Sequence, residues 1–133
     1  MNDVLKFSIP GKPKYVQMVR LAIASIAGQF GFDIEKVEDM TVAVSEACKL
    51  VTCHGQEKFS ENYDVIVEIE GERIIITVSD FSSGHNIEKG FRQCMQCPEE
   101  GNLAQFVIDS LMDSVETIEN EKGNKSIKMV KIK

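Results

Sequence analysis

The chain has 133 residues, 43% hydrophobic and 27% charged, with a formal net charge of −6. That length fits a single domain over 1–133, burying about two thirds of the surface its unfolded form would expose, and the composition excludes a disordered chain. The acidic balance argues against a nucleic-acid phosphate surface, which Lys and Arg must neutralise; no stretch reaches the roughly 18 uninterrupted apolar residues of a membrane span, and MNDVLKFSIPGKP lacks a secretion signal, so a cytoplasmic protein is expected.

In chain order, Val4 to Ile9 alternates weakly, with Leu5, Phe7 and Ile9 on one side, and stops at Pro10-Gly11. This predicts an edge strand, where the following proline is tolerated. Val16, Val19, Ile23, Ile26 and Phe30 recur at helical spacing from Lys14, and Gly31 ends the pattern. Asp33 is placed to cap a second helix running to about Cys53, and Glu35 and Glu38 follow where the macrodipole favours acids. Tyr63 to Ile69 and Arg73 to Ser79 read as a hairpin turned at Glu70-Gly71-Glu72. Its second arm is apolar on both faces, Ile74, Ile76 and Val78 against Ile75 and Thr77, which marks a central strand. Between Asp80 and Leu103 there is no sustained period, and a connection of that length predicts a mobile lid. Leu103, Phe106, Val107, Leu111 and Met112 give a third helix, followed by strands Val115 to Glu119 and Ser126 to Ile132 around a Lys122-Gly123-Asn124 turn.

The second helix carries more apolar surface than one contact face needs. With residues about 100° apart, Ile34, Val37, Met40, Val44, Ala47, Cys48 and Val51 form a core stripe. A second row holds Asp39, Ala43, Glu46, Leu50, Cys53 and His54. Two readings of that row stand: a pocket wall, or a helix sandwiched between neighbours with Glu46 solvated.

The segment VRLAIASIAGQFGFDIEKVEDMTVAVSEAC, with His54 eight residues after Glu46, the strand end ITVSD, the run EGNLAQFVIDSLMDSVE and a last hairpin around EKGNKS together resemble the anti-sigma factor serine kinases of sporulation and stress response. The resemblance covers nearly the whole chain and implies the fold of gyrase, histidine kinases and MutL-like ATPases. That is an α+β two-layer sandwich, a mixed and mostly antiparallel sheet with three helices on one face. It also implies a homodimer formed through the sheet edge and first helix region, and two protein partners, a sigma factor and an anti-anti-sigma protein.

In that family the second helix carries a glutamate that acts as the base for the partner's serine, and Glu46 stands at its position. Four residues on, the family's Mg²⁺-binding Asn is replaced by Leu50. Because phosphoryl transfer depends on positioning and on a metal bridging phosphate oxygens, an aliphatic side chain there removes a central component. Asp80, with Ser82 and Gly84, matches the family's adenine-binding strand end. The phosphate motif Glu-Gly-Gly-Leu-Gly reads Glu100, Gly101, Asn102, Leu103, Ala104, so two of its glycines are lost where backbone N–H groups must approach phosphates closely. The resemblance therefore implies ATP and Mg²⁺ binding, and Leu50, Asn102 and Ala104 predict that it is weakened and kinase activity lost.

Of the four cysteines, Cys94 and Cys97 have the spacing of a zinc half-site. Cys53 and His54, on the second row, could complete the set, with His85 in the same lid; Cys48 falls on the core stripe, roughly 140° from Cys53, and is not expected to join it. The leading expectation is a transcription-regulating binding module on a kinase fold. The alternatives are an active ATP-dependent serine kinase and a metal- or thiol-controlled regulator.

Overall fold

A computed structural model describes residues 3–10, 13–51, 62–79, 97–119 and 125–133. Its elements are β1 (Asp3–Pro10), a short 3-10 turn (Pro13–Tyr15), α1 (Val16–Gln29), α2 (Ile34–Val51), β2 (Asn62–Glu70), β3 (Arg73–Ser79), α3 (Cys97–Leu111), β4 (Ser114–Glu119) and β5 (Lys125–Ile132).

The punctuation between α1 and α2 follows from single residues. Gly31 has φ +81°, which costs a residue without Cβ nothing. Its N–H reaches Gly28 O at 3.2 Å and the N–H of Phe32 reaches Ala27 O at 3.2 Å, the paired bonds that close a helix end. Asp33 then starts α2, its Oδ1 accepting the Lys36 N–H at 3.0 Å. In the β2–β3 turn Gly71 takes φ +57°, and Arg73 Nη2 lies 2.6 Å from Glu70 Oε1 across it.

The five strands lie in the order β1-β2-β3-β5-β4. All four pairings are antiparallel, so among the described residues the sheet has no parallel member and the expected mixed character is absent. The doubly apolar β3 is the middle strand, with Ile74, Ile75, Ile76 and Val78 all buried. Its register sets Ile76 opposite Met129 and Val78 opposite Ile127, one continuous face with Val65, Val67 and Ile69 of β2. Against that face pack the helices, α2 in the middle on β3 and β5, with α1 and α3 on its flanks.

Two details of burial depart from the periodic reading. Ile34, expected in the core stripe, is 74% exposed at the first position of α2, while Ala43, expected on the pocket row, is fully buried with Met40, Val44, Ala47 and Cys48. The flanking helices explain the second: a central helix buries a wider arc than a helix lying on a sheet alone. In addition, α3 begins at Cys97 rather than Leu103. Pro98 is tolerated in a first helical turn, where its missing N–H is not needed, and two acids follow it.

The phase of α3 also differs. Ala104, Ile108 and Met112 form its buried row, whereas Leu103 is 65% and Phe106 69% exposed. Leu103 and Phe106 lie roughly opposite Ala104 and Ile108 around the helix, so burying the one side turns the two larger side chains outward.

Candidate functional site

The candidate site lies where the C-terminal half of α2, the end of β3 and the start of α3 would meet. Glu46 is half-buried on α2 and takes part in a polar or charged interaction. Leu50 follows one turn later on the same helix, as the fourfold spacing requires. Asp80, which directly follows β3, lies outside the described residues, as do Ser82, Gly84, Cys53, His54, His85 and Cys94. The predicted lid therefore falls outside them too, except for 97–102, which are helical. Ser79, the last residue of β3, has a buried hydroxyl without a partner, but it pairs with Ser126 on the sheet face away from the helices and so does not belong to this site.

Gly101, Asn102, Leu103 and Ala104 sit at the fifth to eighth positions of α3. Amides that far into a helix donate to carbonyls one turn back, and only the first-turn amides are free to meet an anion. Pro98 contributes no N–H to that first turn. Ala104, moreover, is 2% exposed in the helix seam. The residues present thus do not fit a phosphate cradle closed by Mg²⁺: Leu50 offers no oxygen, and the amides of 101–104 are committed to the helix.

Cys97 opens α3. Among the described residues no three His, Cys, Asp or Glu side chains converge to hold a metal. Cys48 is fully buried on the core side, as expected from its place on the stripe. Burial pushes its thiol up to about 12 from the ordinary 9.0, and the neighbouring Tyr63 hydroxyl pulls it back only in part. Tyr63, itself fully buried on β2, is raised by burial first and by Cys48 second. The Tyr63 hydroxyl has no well-aligned hydrogen-bond partner, so the soft thiol is the polar group it meets.

Asp39 heads the row read as a pocket wall. Its Oδ2 is instead 3.2 Å from Nζ of Lys131, a residue only 8% exposed on the helix-covered face of β5. The same ammonium donates to the carbonyl of Leu111 at the C-terminal end of α3. No sequence motif singles out this lysine. The signal available was its alternation with Ile127 and Met129 in SIKMVKIK, which places it on the buried face.

No helix among the described residues is long and apolar enough to cross a membrane. The family model of the histidine kinase-like ATPase domain matches residues 9–131. The chain is 30% identical over 130 residues to the serine-protein kinase RsbW of Oceanobacillus iheyensis, covering 91% of this chain and 82% of that protein. The RsbW of Listeria monocytogenes is 30% identical over 131 residues, with 91% and 83% covered, and that of Bacillus subtilis 25% over 138 residues, with 91% and 81% covered. Among solved structures, the RsbU and RsbW domains of Rv1364c from Mycobacterium tuberculosis superpose with a TM-score of 0.71 at 14% identity, covering 98% of this chain and 32% of that longer one. The last likeness is one of fold.

Proposed function

This chain belongs to the histidine kinase-like ATPase domain family, and from that membership we propose that it is an anti-sigma regulatory factor of the serine-kinase type, which holds a sigma factor, an anti-anti-sigma partner or both. The observation that carries the reading is the match to serine-protein kinases named RsbW, which covers 91% of this chain and 82% of the relative. A cytoplasmic setting goes with such partners.

In this reading nucleotide binding is weakened and regulation works chiefly through protein contacts. Supporting it are Leu50 at the Mg²⁺-ligand position and the helical geometry of Gly101 to Ala104. Adenine recognition is assigned to Asp80, Ser82 and Gly84, while Gly101, Asn102 and Leu103 keep the place of the phosphate motif with their amides taken up by the helix. Glu46, half-buried on α2, keeps the position of the serine-activating base, and with the relatives' naming as serine-protein kinases it favours a working kinase as the second reading.

The proposed homodimer would use the β1 edge and the first helix. Val4 on β1 is 51% exposed, and Met18 and Leu21 on α1 are 51% and 62% exposed, on a helix whose only charged residue is Arg20. Zinc at Cys94, Cys97, Cys53 and His54 would belong to the alternative reading of a metal- or thiol-controlled regulator. The function is tested by purifying the tagged chain from its native cell and identifying bound proteins. A sigma factor held in stoichiometric amount is the expected result; a complex without any sigma factor or anti-anti-sigma protein overturns the proposal.

A further inference from the structure

An acidic stretch without a single Lys or Arg runs through α3 and β4. Residues 97–119 hold Glu99, Glu100, Asp109, Asp113, Glu116 and Glu119 and no Lys or Arg. Of the 21 acidic and 15 basic residues in the chain, 15 of each are left outside that stretch, so it carries a net −6 while the rest of the chain sums to zero. Part of it is balanced locally, since Glu116 stands across from Lys128 and Glu119 from Lys125 in the β4–β5 ladder. The unbalanced part is α3 and its C-terminal corner, where Asp109 and Asp113 are exposed.

The same helix turns its largest apolar side chains outward. Leu103 and Phe106, 65% and 69% exposed, are neighbours at i and i+3. A single exposed leucine is ordinary. This pair is different because it lies opposite a complete buried row, Ala104, Ile108 and Met112, so that α3 is apolar on two sides. Burial of either side chain against a partner is favourable, a gain the fold leaves unused.

The geometry points to α3 as the docking face for a protein segment that is apolar on one side and basic on its flanks, such as a Lys- or Arg-rich amphipathic helix set against Leu103 and Phe106. Charge decides the occupant. A second copy of α3 would bring carboxylates against carboxylates, whereas a cationic helix gains steering and register from them. The exposed face of α1, with Met18 and Leu21, has no acidic residue and lacks this complement. That the natural occupant belongs to a sigma factor rests on the function proposed above; the chemistry of the occupant does not.

The test uses two synthetic amphipathic helices of one pattern, leucine with lysine and leucine with glutamate, titrated into the whole chain with chemical-shift mapping and calorimetry. The lysine peptide is expected to shift the amides around Leu103, Phe106 and Asp109, with an affinity that falls as salt rises. Phe106→Gln, on an exposed position and checked by an unchanged melting temperature, should weaken it about tenfold, Asp109→Asn several-fold, and Met18→Gln not at all. Shifts centred on α1, equal binding by Phe106→Gln, or equal binding of the glutamate peptide overturns the inference. The same variants are then tried on a sigma factor captured by the wild type. Loss in Phe106→Gln supports the docking face, while retention there with loss in Met18→Gln overturns it and leaves the anti-sigma function standing. Lysine-peptide binding on α3 with no sigma factor bound by the wild type overturns that function and keeps the docking face.

Discussion

Lys131 and Asp39 form a single junction between the last strand and the middle helix: Nζ lies 3.2 Å from Oδ2, and the same ammonium donates to the carbonyl of Leu111. One buried cation therefore ties together β5, α2 and the C-terminal end of α3, where a positive charge also suits the helix dipole. Around it, Ile132 N donates to Asp113 Oδ2 at 2.7 Å and Asp113 N to Val130 O at 2.9 Å.

Removing that cation should loosen α3 before the sheet. Lys131→Met leaves the Leu111 carbonyl without its donor and is expected to cost about 1–3 kcal/mol in urea unfolding, with faster hydrogen exchange concentrated in α3. Lys131→Arg should recover part of the loss. An unchanged midpoint in Lys131→Met would show that the junction contributes nothing to stability.

The sequence disclosed elements better than their relations. Strand β3 was legible because Ile74 to Val78 is apolar on both faces, and the α1–α2 corner because Gly31 and Asp33 have one good use each there. The rotation of α3 was not legible: Leu103, Phe106, Val107, Leu111 and Met112 give a helical period, but the buried side is that of Ala104, Ile108 and Met112. Lys131 escaped notice because its partner is far along the chain, and periodicity carries no long-range pairing. Of the site, Glu46, Leu50 and the altered phosphate motif were read directly, whereas the start of α3 six residues early was hidden by the lack of apolar period in Cys97 to Asn102.

Cys48 and Tyr63 should make the fold labile to alkali. The thiol is raised to about 12 in the folded chain from 9.0. The folded state therefore holds a proton that the unfolded state releases, and the sign is a loss of stability as pH rises from about 9 toward 12. Tyr63, raised by the same burial, adds in the same direction. Stability measured across that window should decline less steeply in Cys48→Ala, offset by whatever the substitution costs at neutral pH. In the native protein at neutral pH Cys48 should resist thiol reagents and react only on unfolding.

Asp33→Ala removes the oxygen that accepts the Lys36 N–H at 3.0 Å. A loss of about 1 kcal/mol is expected in chemical denaturation. No change would mean that water replaces the cap fully.

Zinc is expected to be absent at stoichiometric level from purified protein, measured by elemental analysis beside Cys94→Ser, Cys53→Ser and Cys48→Ser. Zinc in the wild type, lost in the first two and kept in the third, would instead establish the Cys94, Cys97, Cys53, His54 set. Its affinity would then fall with pH, since thiolate ligands must lose protons to bind.

Leu50→Asn restores an oxygen at the Mg²⁺ position but leaves Gly101 to Ala104 helical, so it should raise ATP affinity only slightly in calorimetry. A return to low-micromolar binding by that one change would mean that the α3 amides are not the obstacle.

That this kinase-like domain works by binding rather than by phosphorylation is a testable proposal. Its most direct test is the affinity for the captured sigma factor measured with and without ATP and Mg²⁺, alongside mass spectrometry of the anti-anti-sigma partner after incubation with both. Equal affinity in the two conditions and an unmodified serine are the predicted result; sigma binding that requires ATP, or a phosphoserine on the partner, would contradict the account.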